Sequence, residues 1–551
     1  MVDYIGTNLC FFIMISPIVD YTQRNPFTSF ALVMLGVLVY QTLHLFWGFE
    51  LLDSGFHLTA YDNIFDAPRS ISYNFMYYLT NVIGGFIMYL FPYIGVLGFR
   101  VVGALFVDLS LFLIFYVLHK EVPVIHLLIG SFLVVVSYLW PYSFNNGILS
   151  CFFYVCFSLL LYNGLILRNG LLVLLSGIFV GINFFSRIPN VLSIGLVLLI
   201  LFHSKIVTGE TKYDWKSVGY FFIGIIVGFS ILLLLILSLG HLSVFIEALE
   251  ILLMKGTSSA DGHTFWKLIW TQIYFYLTAI VFVALFFSIS YLNGKNLKLN
   301  IYRMLFLGLA SFVVFYHVYL DLYLGSGYEP LWALCVLGCI VCVKKKGSLA
   351  LLASLALYML FVEILGSGSG NNHGSLPALL AAPVASYAIL NKKNVIFVVV
   401  ACIALFMKVI KQGTYFDFGP LSMKQSHISM KECSFIRTTQ ERAEVINISL
   451  PILKQYVHPK DTLLVYNAAP MINYLTHTRP AGGNCWPALG SLKPFDSPPM
   501  ILIHRFRDFT APKIQTYSVP TGNPVVDSYM QEHQYRIVWE NPYFLLLFPR
   551  K

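Results

Sequence analysis

Long apolar runs alternate with short polar loops over the first three quarters of the chain. The first clear run, Phe27 to Trp47, is long enough for a helix that crosses a bilayer, which takes about 20 residues. Twelve further runs of this kind bring the predicted total to about thirteen transmembrane helices. They cover residues 95–118, 122–140, 148–167, 171–185, 191–202, 218–239, 266–292, 301–320, 331–343, 349–365, 376–390 and 395–410.

One apolar run, Ile71 to Phe91, decides the topology. If it does not cross, every loop rich in Lys or Arg falls on one face, which must be cytoplasmic because basic loops stay inside. If it does cross, Lys120 and all later basic loops move outside. The charge pattern therefore predicts that this run, which holds four tyrosines, is a juxtamembrane segment at the outer interface. It also predicts a cytoplasmic N-terminus and an extracytoplasmic C-terminus.

The pattern changes past Lys411, where Pro, Asp, Arg and Thr become frequent and no further segment is able to span. Strands are predicted at 461–466, 500–504 and 543–548, with helices at 469–475 and 525–533. We therefore divide the chain into a transmembrane domain, 1–411, and a small extracytoplasmic, or periplasmic, α/β domain, 412–551. The outer loop 48–94 of the first domain is expected to carry juxtamembrane helices.

Composition agrees with a polytopic α-helical membrane protein. Of the 551 residues, 58% are hydrophobic and 11% are charged, whereas soluble domains average about 25% charged residues. The net charge of +9 follows from the basic loops, so nucleic acid is not a predicted partner. Two of the nine cysteines, Cys433 and Cys485, fall in the polar C-terminal part and could pair if it lies outside the cytoplasm.

The polar stretch Phe49 to Asp62 follows directly on the first span. Its ionisable side chains are Glu50, Asp53, His57 and Asp62. Asp53 lies near the membrane boundary, where an unpaired charge is costly, so it should have a partner or a chemical role. Its carboxylate could act as a general base, taking a proton from an acceptor hydroxyl or amine that attacks a sugar carbon. The structural alternative is a salt bridge to Arg69 or Arg100.

Two further features suit an anionic ligand. Arg187 lies between two short apolar segments, where its guanidinium could hold the phosphate of a lipid carrier; snorkelling to lipid headgroups is the alternative. The glycine-rich loop Gly366 to Ser375, which contains His373, could form an anion-binding nest or be a plain connector. No His, Asp and Glu set has convincing metal spacing, although the stretch after the first span could in principle hold a divalent ion. No cofactor is therefore predicted.

With these residues placed, the chain resembles the GT-C superfamily of polyprenyl-phosphate-sugar glycosyltransferases. The likeness is nearest to the protein O-mannosyltransferase and lipid A aminoarabinose transferase branch. In that family an Asp-Glu motif follows the first span and its Asp is catalytic; here Asp53-Ser54 stands in its place. A short helix that ends in a basic residue meets the carrier phosphate, which implies this role for Arg187 at the end of 175–187.

Three other segments look similar to family motifs, namely 74–79, 95–105 with Arg100, and the helix entry 373–383 with His373. A terminal α/β domain on the outer side also fits the family. Two departures leave the acceptor open: Ser54 replaces the second acid, and the Pro-Pro-Leu-like motif before Tyr77 is missing.

The predicted function is an integral-membrane glycosyltransferase of the cytoplasmic (inner) membrane, a hexosyl- or pentosyltransferase. It would move a sugar from a polyprenyl-phosphate carrier to an extracytoplasmic lipid, glycan or protein. Asp53 is the predicted catalytic residue. The predicted donor-phosphate contacts are Arg187, Arg100 and His373, and the predicted substrate-cavity residues are Glu50, His57, Asp62 and Arg69.

Two alternatives stay open at this point. One is a polysaccharide ligase or polymerase that uses a diphosphate-linked donor, and the other is a transporter or flippase for lipid-linked sugars. A transporter should place ionisable residues at the bilayer midplane on paired broken helices. Here the charges cluster at the outer boundary, which favours transfer chemistry.

Overall fold

The computed structural model describes residues 17, 20–255, 270, 329–364, 374–389, 406–411, 413–414, 417–467, 469–487, 495, 497–505, 521 and 524–550. The α-helices before residue 390 are α1 (Pro26–Leu45), α2 (Asp53–Asn63), α3 (Tyr78–Leu90), α4 (Gly95–Leu118), α5 (Val124–Ser137), α6 (Asn146–Ile166), α7 (Gly170–Asn183), α8 (Leu196–Val207), α9 (Trp215–Ser238), α10 (Leu242–Lys255), α11 (Glu329–Lys344), α12 (Ser348–Ile364) and α13 (Ala381–Ile389). Short 3-10 segments at Pro68–Tyr77, Ile188–Gly195 and Leu376–Ala378 interrupt this series.

Five helices of the described chain are long and apolar enough to cross a membrane. They are α1, α4, α6, α9 and the continuous segment Ile188–Val207, and they identify a multi-pass membrane protein. Shorter apolar helices accompany them. The predicted runs 266–292 and 301–320, and most of 395–410, lie outside the described residues. The count of about thirteen crossings and the orientation in the membrane therefore stay predictions.

The run Ile71 to Phe91 is not one continuous helix. It is divided between the 3-10 segment Pro68–Tyr77 and the 13-residue α3. A helix of that length rises about 20 Å, which is short of a hydrocarbon core about 30 Å thick. Helices α5 and α7, which belong to predicted crossings, are only one residue longer, so the juxtamembrane place of this segment stays a prediction.

Helices α7 and α9 pack backbone against backbone. Each has two glycines four residues apart, Gly177 and Gly181 on α7 and Gly224 and Gly228 on α9. A Cβ atom at Gly177 would lie 2.2 Å from the Phe221 carbonyl oxygen, so only glycine allows this approach. Small residues at this spacing are a common device for close packing of membrane helices. The contact fixes α7, whose C-terminal end leads directly to Arg187.

Residues after 412 form strands and helices with a sheet of their own. The strands are β1 (Gly413–Thr414), β2 (Asp417–Phe418), β3 (Ser426–His427), β4 (Arg437–Thr438), β5 (Thr462–Tyr466), β6 (Arg479–Pro480), β7 (Met500–His504), β8 (Arg536–Glu540) and β9 (Phe544–Phe548). The helices are α14 (Gln440–Leu453), α15 (Met471–Thr476) and α16 (Pro524–Glu532). Strands β6, β5, β7, β9 and β8 form one mixed sheet in that order.

The sheet is parallel at β6–β5–β7 and antiparallel at β7–β9–β8. Strands β5, β7 and β9, which are the central ones, lie where the hydrophobic pattern predicts them. Strand β8 was not predicted, because it alternates only weakly and its residues are exposed or half-buried. The domain boundary and the extracytoplasmic location of this part stay predictions.

Candidate active site

Asp53 is the first residue of α2, immediately after the polar turn that follows the first span. Glu50 folds back over this turn and accepts hydrogen bonds from the backbone N–H groups of Leu52 and Ser54. Glu50 thereby satisfies two amides that would otherwise have no partner at the start of the helix. No residue of the described chain donates a hydrogen bond to the Asp53 carboxylate or forms an ion pair with it. The predicted alternative, a salt bridge to Arg69 or Arg100, is therefore not formed.

The two carboxyl groups at this turn are held in different electrostatic environments. Burial and the neighbouring Glu50 raise the pKa of Asp53 to about 8. Burial also raises the pKa of Glu50, but the hydrogen bonds from Ser54 and Leu52 and the charge of Arg100 oppose that rise. The negative charge of the pair is thus best placed on Glu50 and the proton on Asp53. A pKa near the working pH is the property that a general base needs.

The C-terminal part holds α2 from one side. The Met471 N–H donates to the Leu51 carbonyl at 3.0 Å, and the Thr59 hydroxyl donates to the Pro470 carbonyl at 2.9 Å. A Cβ atom at Gly55 would lie 2.2 Å from the Met471 nitrogen, so glycine is required here for α2 to approach α15. The helix that carries Asp53 is therefore fixed by residues more than 400 positions away.

A buried ionic group fixes the turn just before Glu50. Asp417 accepts a hydrogen bond from the Phe49 N–H at 2.7 Å, and Arg442 donates to the Phe49 carbonyl. Lys424 and Arg442 both lie 3.7 Å from the Asp417 carboxylate. Each charge in this group has an opposite partner, as burial demands. The C-terminal part thus controls the backbone on both sides of Glu50.

Arg100 has a structural role that the sequence did not predict. Its guanidinium donates to the carbonyls of His44, Leu45 and Gly48 at 3.2, 3.0 and 2.6 Å. These carbonyls lie at the end of α1, where helical partners run out. Since Arg100 is buried and committed to backbone oxygens, we withdraw the predicted contact with a donor phosphate.

Arg187 forms a buried ion pair with Glu363 of α12. Its Nη1 donates to the Glu363 carboxylate at 3.0 Å and to the Glu363 carbonyl at 2.6 Å. Only 8% of the Arg187 side chain and 5% of the Glu363 side chain are exposed. Arg187 therefore does not extend to lipid headgroups. Sequence reasoning missed Glu363, although an acid inside an apolar run is by itself a signal of a functional or paired charge.

The backbone around Arg187 is tied to the juxtamembrane segment. The Leu79 N–H donates to the Phe185 carbonyl at 2.8 Å, and the Thr80 hydroxyl donates to the Ser186 carbonyl at 3.3 Å. Burial raises the pKa of Tyr77, the charge of Arg187 lowers it, and Asp53 raises it. The Tyr77 phenol thus lies within electrostatic reach of both the predicted base and the guanidinium.

His57 lies one helical turn after Asp53 and adjoins the same tyrosine. Its ring centroid is 6.1 Å from that of Tyr77, and its side chain is buried. Burial lowers the pKa of His57 to about 3, against a hydrogen bond with Asn146, so the ring is neutral. Its Nδ1 has no hydrogen-bond partner in the described structure. A neutral imidazole placed there is able to donate to or accept from a substrate hydroxyl.

An aromatic group completes this side of the site. Phe56 makes edge contacts with Tyr77 and with Trp486, at centroid distances of 6.1 and 6.3 Å. Cys485, next to Trp486, is buried against the Phe56 carbonyl. Cys433 and Cys485 are both free thiols, so the disulfide considered from the sequence is not formed. The C-terminal part therefore supplies side chains as well as backbone to the surroundings of Asp53.

The remaining predicted site residues are Asp62, Arg69 and His373. Asp62 faces away from Asp53, since its carboxylate binds His477 at 3.1 Å, and His477 also contacts Glu432 at 3.3 Å. Arg69 is exposed, and it forms no ion pair or hydrogen bond with another described residue. We therefore remove Asp62 from the predicted substrate cavity, and the place of Arg69 there stays a prediction. His373 lies outside the described residues.

A metal centre is not formed by the described residues. No group of three or more His, Cys, Asp and Glu side chains within them is arranged to hold a metal ion. Glu50 is occupied as a helix cap and Asp62 is paired with His477, so these two do not converge with Asp53 and His57 on one point. The expectation that the protein needs no metal cofactor stays a prediction.

Comparisons with known proteins give remote structural similarities. No family model matches the chain, and no curated protein matches it. The oligosaccharyltransferase of Archaeoglobus fulgidus, solved tethered to an acceptor peptide with the NVT sequon, is 12% identical with a TM-score of 0.40. That match covers 81% of this chain, but the chain spans only 63% of the archaeal protein's length.

ArnT from Cupriavidus metallidurans is also similar in fold. Its apo structure and its structure bound to undecaprenyl phosphate are each 10% identical with a TM-score of 0.42. The matches cover 95% and 94% of this chain and 98% of ArnT.

Proposed function

We propose that the protein is an integral-membrane glycosyltransferase. It transfers a sugar from a polyprenyl-phosphate carrier to an acceptor outside the cytoplasm, a lipid, a glycan or a protein. The observation that carries this proposal is the environment of Asp53. It is a carboxyl group with a raised pKa and no hydrogen-bond or ion-pair partner in the described structure, at the turn after the first span, and Tyr77 lies within electrostatic reach of both Asp53 and Arg187.

Asp53 acts as the general base. An acceptor hydroxyl or amine attacks the anomeric carbon of the sugar, its proton passes to the Asp53 carboxylate, and a new bond from oxygen or nitrogen to carbon forms. The bond from that carbon to the phosphate oxygen breaks, and polyprenyl phosphate leaves with the bonding electrons. A base positioned in this way typically contributes about 10²- to 10⁴-fold to the rate.

Arg187 supplies positive charge for the carrier phosphate. A guanidinium matches the geometry of phosphate oxygens and gains strength where water is excluded. Tyr77 and neutral His57, whose ring centroids lie 6.1 Å apart, orient sugar or acceptor hydroxyls in this proposal. A phosphate monoester is already a good leaving group, so we propose that these groups act without a metal ion.

The test is transfer by purified protein from undecaprenyl-phosphate-linked sugars, assayed with and without EDTA. Asp53→Asn keeps the shape of the side chain but removes the base, so transfer should fall about 100-fold or more. Asp66→Asn is the matched control, because Asp66 is an exposed acid beyond the other end of α2. It should leave transfer unchanged.

Two results would contradict the proposal. Undiminished transfer by Asp53→Asn would show that Asp53 is not the general base. If the wild-type protein consumes no polyprenyl-phosphate sugar at all, the enzyme assignment itself fails. Loss of transfer in EDTA that added Mg²⁺ or Mn²⁺ restores would contradict the metal-free mechanism alone.

A further inference from the structure

The ion pair between Arg187 and Glu363 has a consequence for the carrier. Arg187 is the residue to which we assign the carrier phosphate, yet its Nη1 already holds two oxygens of Glu363. The other guanidinium nitrogens, Nε and Nη2, form no hydrogen bond or ion pair with a described residue. Arg187 is therefore half engaged, and the acid that engages it has the same sign of charge as a phosphate.

Polar groups next to Arg187 are also incompletely paired. The Ser186 hydroxyl and the Asn183 side-chain amide nitrogen are buried and have no hydrogen-bond partner in the described structure. A buried donor without a partner costs about 1–3 kcal/mol, so each such group calls for an explanation, such as a bound water or ion. Ser186 precedes Arg187 directly, and Asn183 ends α7 just before it. Two such donors therefore lie close to Arg187 along the chain.

We propose that Glu363 is a built-in competitor of the carrier phosphate for Arg187. With the carrier absent, the Glu363 carboxylate neutralises the buried guanidinium, which would otherwise be very costly. When a phosphate group binds Arg187, the Glu363 carboxylate lies beside a second negative charge, and the repulsion weakens binding. Glu363 thus limits affinity for the leaving polyprenyl phosphate and speeds its release. This inference rests on the proposed function and names Glu363 as a residue that sets carrier affinity.

The direct test is binding of undecaprenyl phosphate, without a sugar, to the full-length protein in detergent. Glu363→Gln keeps the side-chain shape and its hydrogen-bonding carbonyl but removes the charge. We expect it to bind undecaprenyl phosphate about tenfold more tightly than wild type or better, mainly through slower dissociation. The matched control is Glu210→Gln, an exposed glutamate in a loop, which should bind as wild type does.

Two lipids identify what the site recognises. Undecaprenol, which lacks the phosphate, should show no tightening with Glu363→Gln, and equal tightening would overturn the proposal. Phosphatidic acid carries a phosphate monoester on a different lipid. If Glu363→Gln tightens binding of undecaprenyl phosphate only, the site recognises the polyprenyl chain as well as the phosphate. If it tightens binding of both lipids, the site recognises the phosphate group alone. Either result supports the competition.

A double variant shows whether the effect acts through Arg187. In Arg187→Gln the tightening caused by Glu363→Gln should disappear, since no guanidinium remains to be released. If the tightening persists, or if Glu363→Gln alone binds as wild type or more weakly, Glu363 only holds Arg187 in place and the proposal is wrong. Should Glu363→Gln fail to fold, Glu363→Asp retracts the carboxylate and should tighten binding by a smaller factor.

The binding result is independent of the transfer assay. If the wild-type protein transfers no sugar from any polyprenyl phosphate tested, but Glu363→Gln still tightens undecaprenyl phosphate binding, the proposed reaction is wrong and the competition stands. If transfer is normal but Glu363→Gln does not tighten binding, the competition is wrong and the reaction stands.

Discussion

Two arginines near the predicted outer boundary, Arg100 and Arg187, look alike in the sequence but differ in the structure. Both are buried, and both were predicted to contact a donor phosphate. Arg100 donates to backbone carbonyls at the end of α1, and these acceptors are fixed in place by the backbone. The Arg187 pair also includes a side-chain carboxylate, which is able to move away. The comparison teaches that a buried cation is available to a ligand only where its protein partner is exchangeable.

The largest expected effect concerns stability and separates the two arginines. Arg100→Gln leaves several buried carbonyls at the end of α1 without a donor, so we expect a loss of about 3 kcal/mol or more in the free energy of unfolding. The measurement is thermal unfolding of the purified protein in detergent. The double variant Arg187→Gln/Glu363→Gln removes both charges of its pair and should unfold closer to wild type than Arg100→Gln does. Equal loss in both proteins would refute the distinction.

The second effect concerns the pH dependence of transfer, which depends on Asp53 and Glu50. Burial, and after it the charge of Glu50, raise the pKa of Asp53 to about 8, so transfer should increase with pH and level off above that value, where Asp53 is a carboxylate. Glu50→Gln removes that negative charge, and the midpoint of the rate profile should move to lower pH by up to about one unit, or about 1.4 kcal/mol. The measurement is transfer rate from pH 5.5 to 9.5 with the acceptor at saturation. A midpoint that stays in place would show that Glu50 does not act on Asp53.

The smallest effect concerns an exposed counterpart of the buried pairs, the group Asp62, His477 and Glu432. Hydrogen bonds to the two carboxylates raise the pKa of His477 from 6.5 to about 9. The imidazolium therefore stabilises the fold fully below pH 6.5, and that stabilisation is lost as pH rises through about 9. Since 43% of the His477 side chain is exposed, the contribution should be at most about 1 kcal/mol and should weaken in salt.

His477→Gln checks this contribution. The unfolding temperature of wild type should fall relative to that of the variant between pH 7 and pH 10, and the two proteins should converge at high pH. The group joins α2 to the C-terminal part. A change in unfolding temperature larger than that expected for about 1 kcal/mol would mean that the group also holds these two parts together. Parallel curves for the two proteins would show that the contact has no energetic role.

Much of the architecture follows from the sequence because it depends on local patterns. Apolar runs of sufficient length predict the spans, and five of the described helices are long and apolar enough to cross a membrane. The central strands β5, β7 and β9 follow from short apolar runs between polar turns. The edge strand β8 does not, because an exposed strand lacks the strong pattern that burial produces.

Candidate chemistry is identified less completely, because residue type and position in the sequence do not reveal partners. The sequence singled out Asp53, His57 and Arg187 by type and location. It could not show that Glu50 caps α2, that Arg100 caps α1, or that Asp62 turns toward His477. Glu363 and Asp108 each carried an available signal, a single acid in an apolar run, that was not used.

The sequence by itself determines that the chain is a multi-pass membrane protein with polar groups collected after the first span, because hydrophobicity is a property of each segment alone. Only the tertiary structure decides which charges are paired, since a pair such as Arg187 and Glu363 joins residues 176 positions apart. It also decides that residues beyond 412 hold the turn that carries Asp53. Electrostatic character depends on burial and on neighbours in space, and those are set by packing.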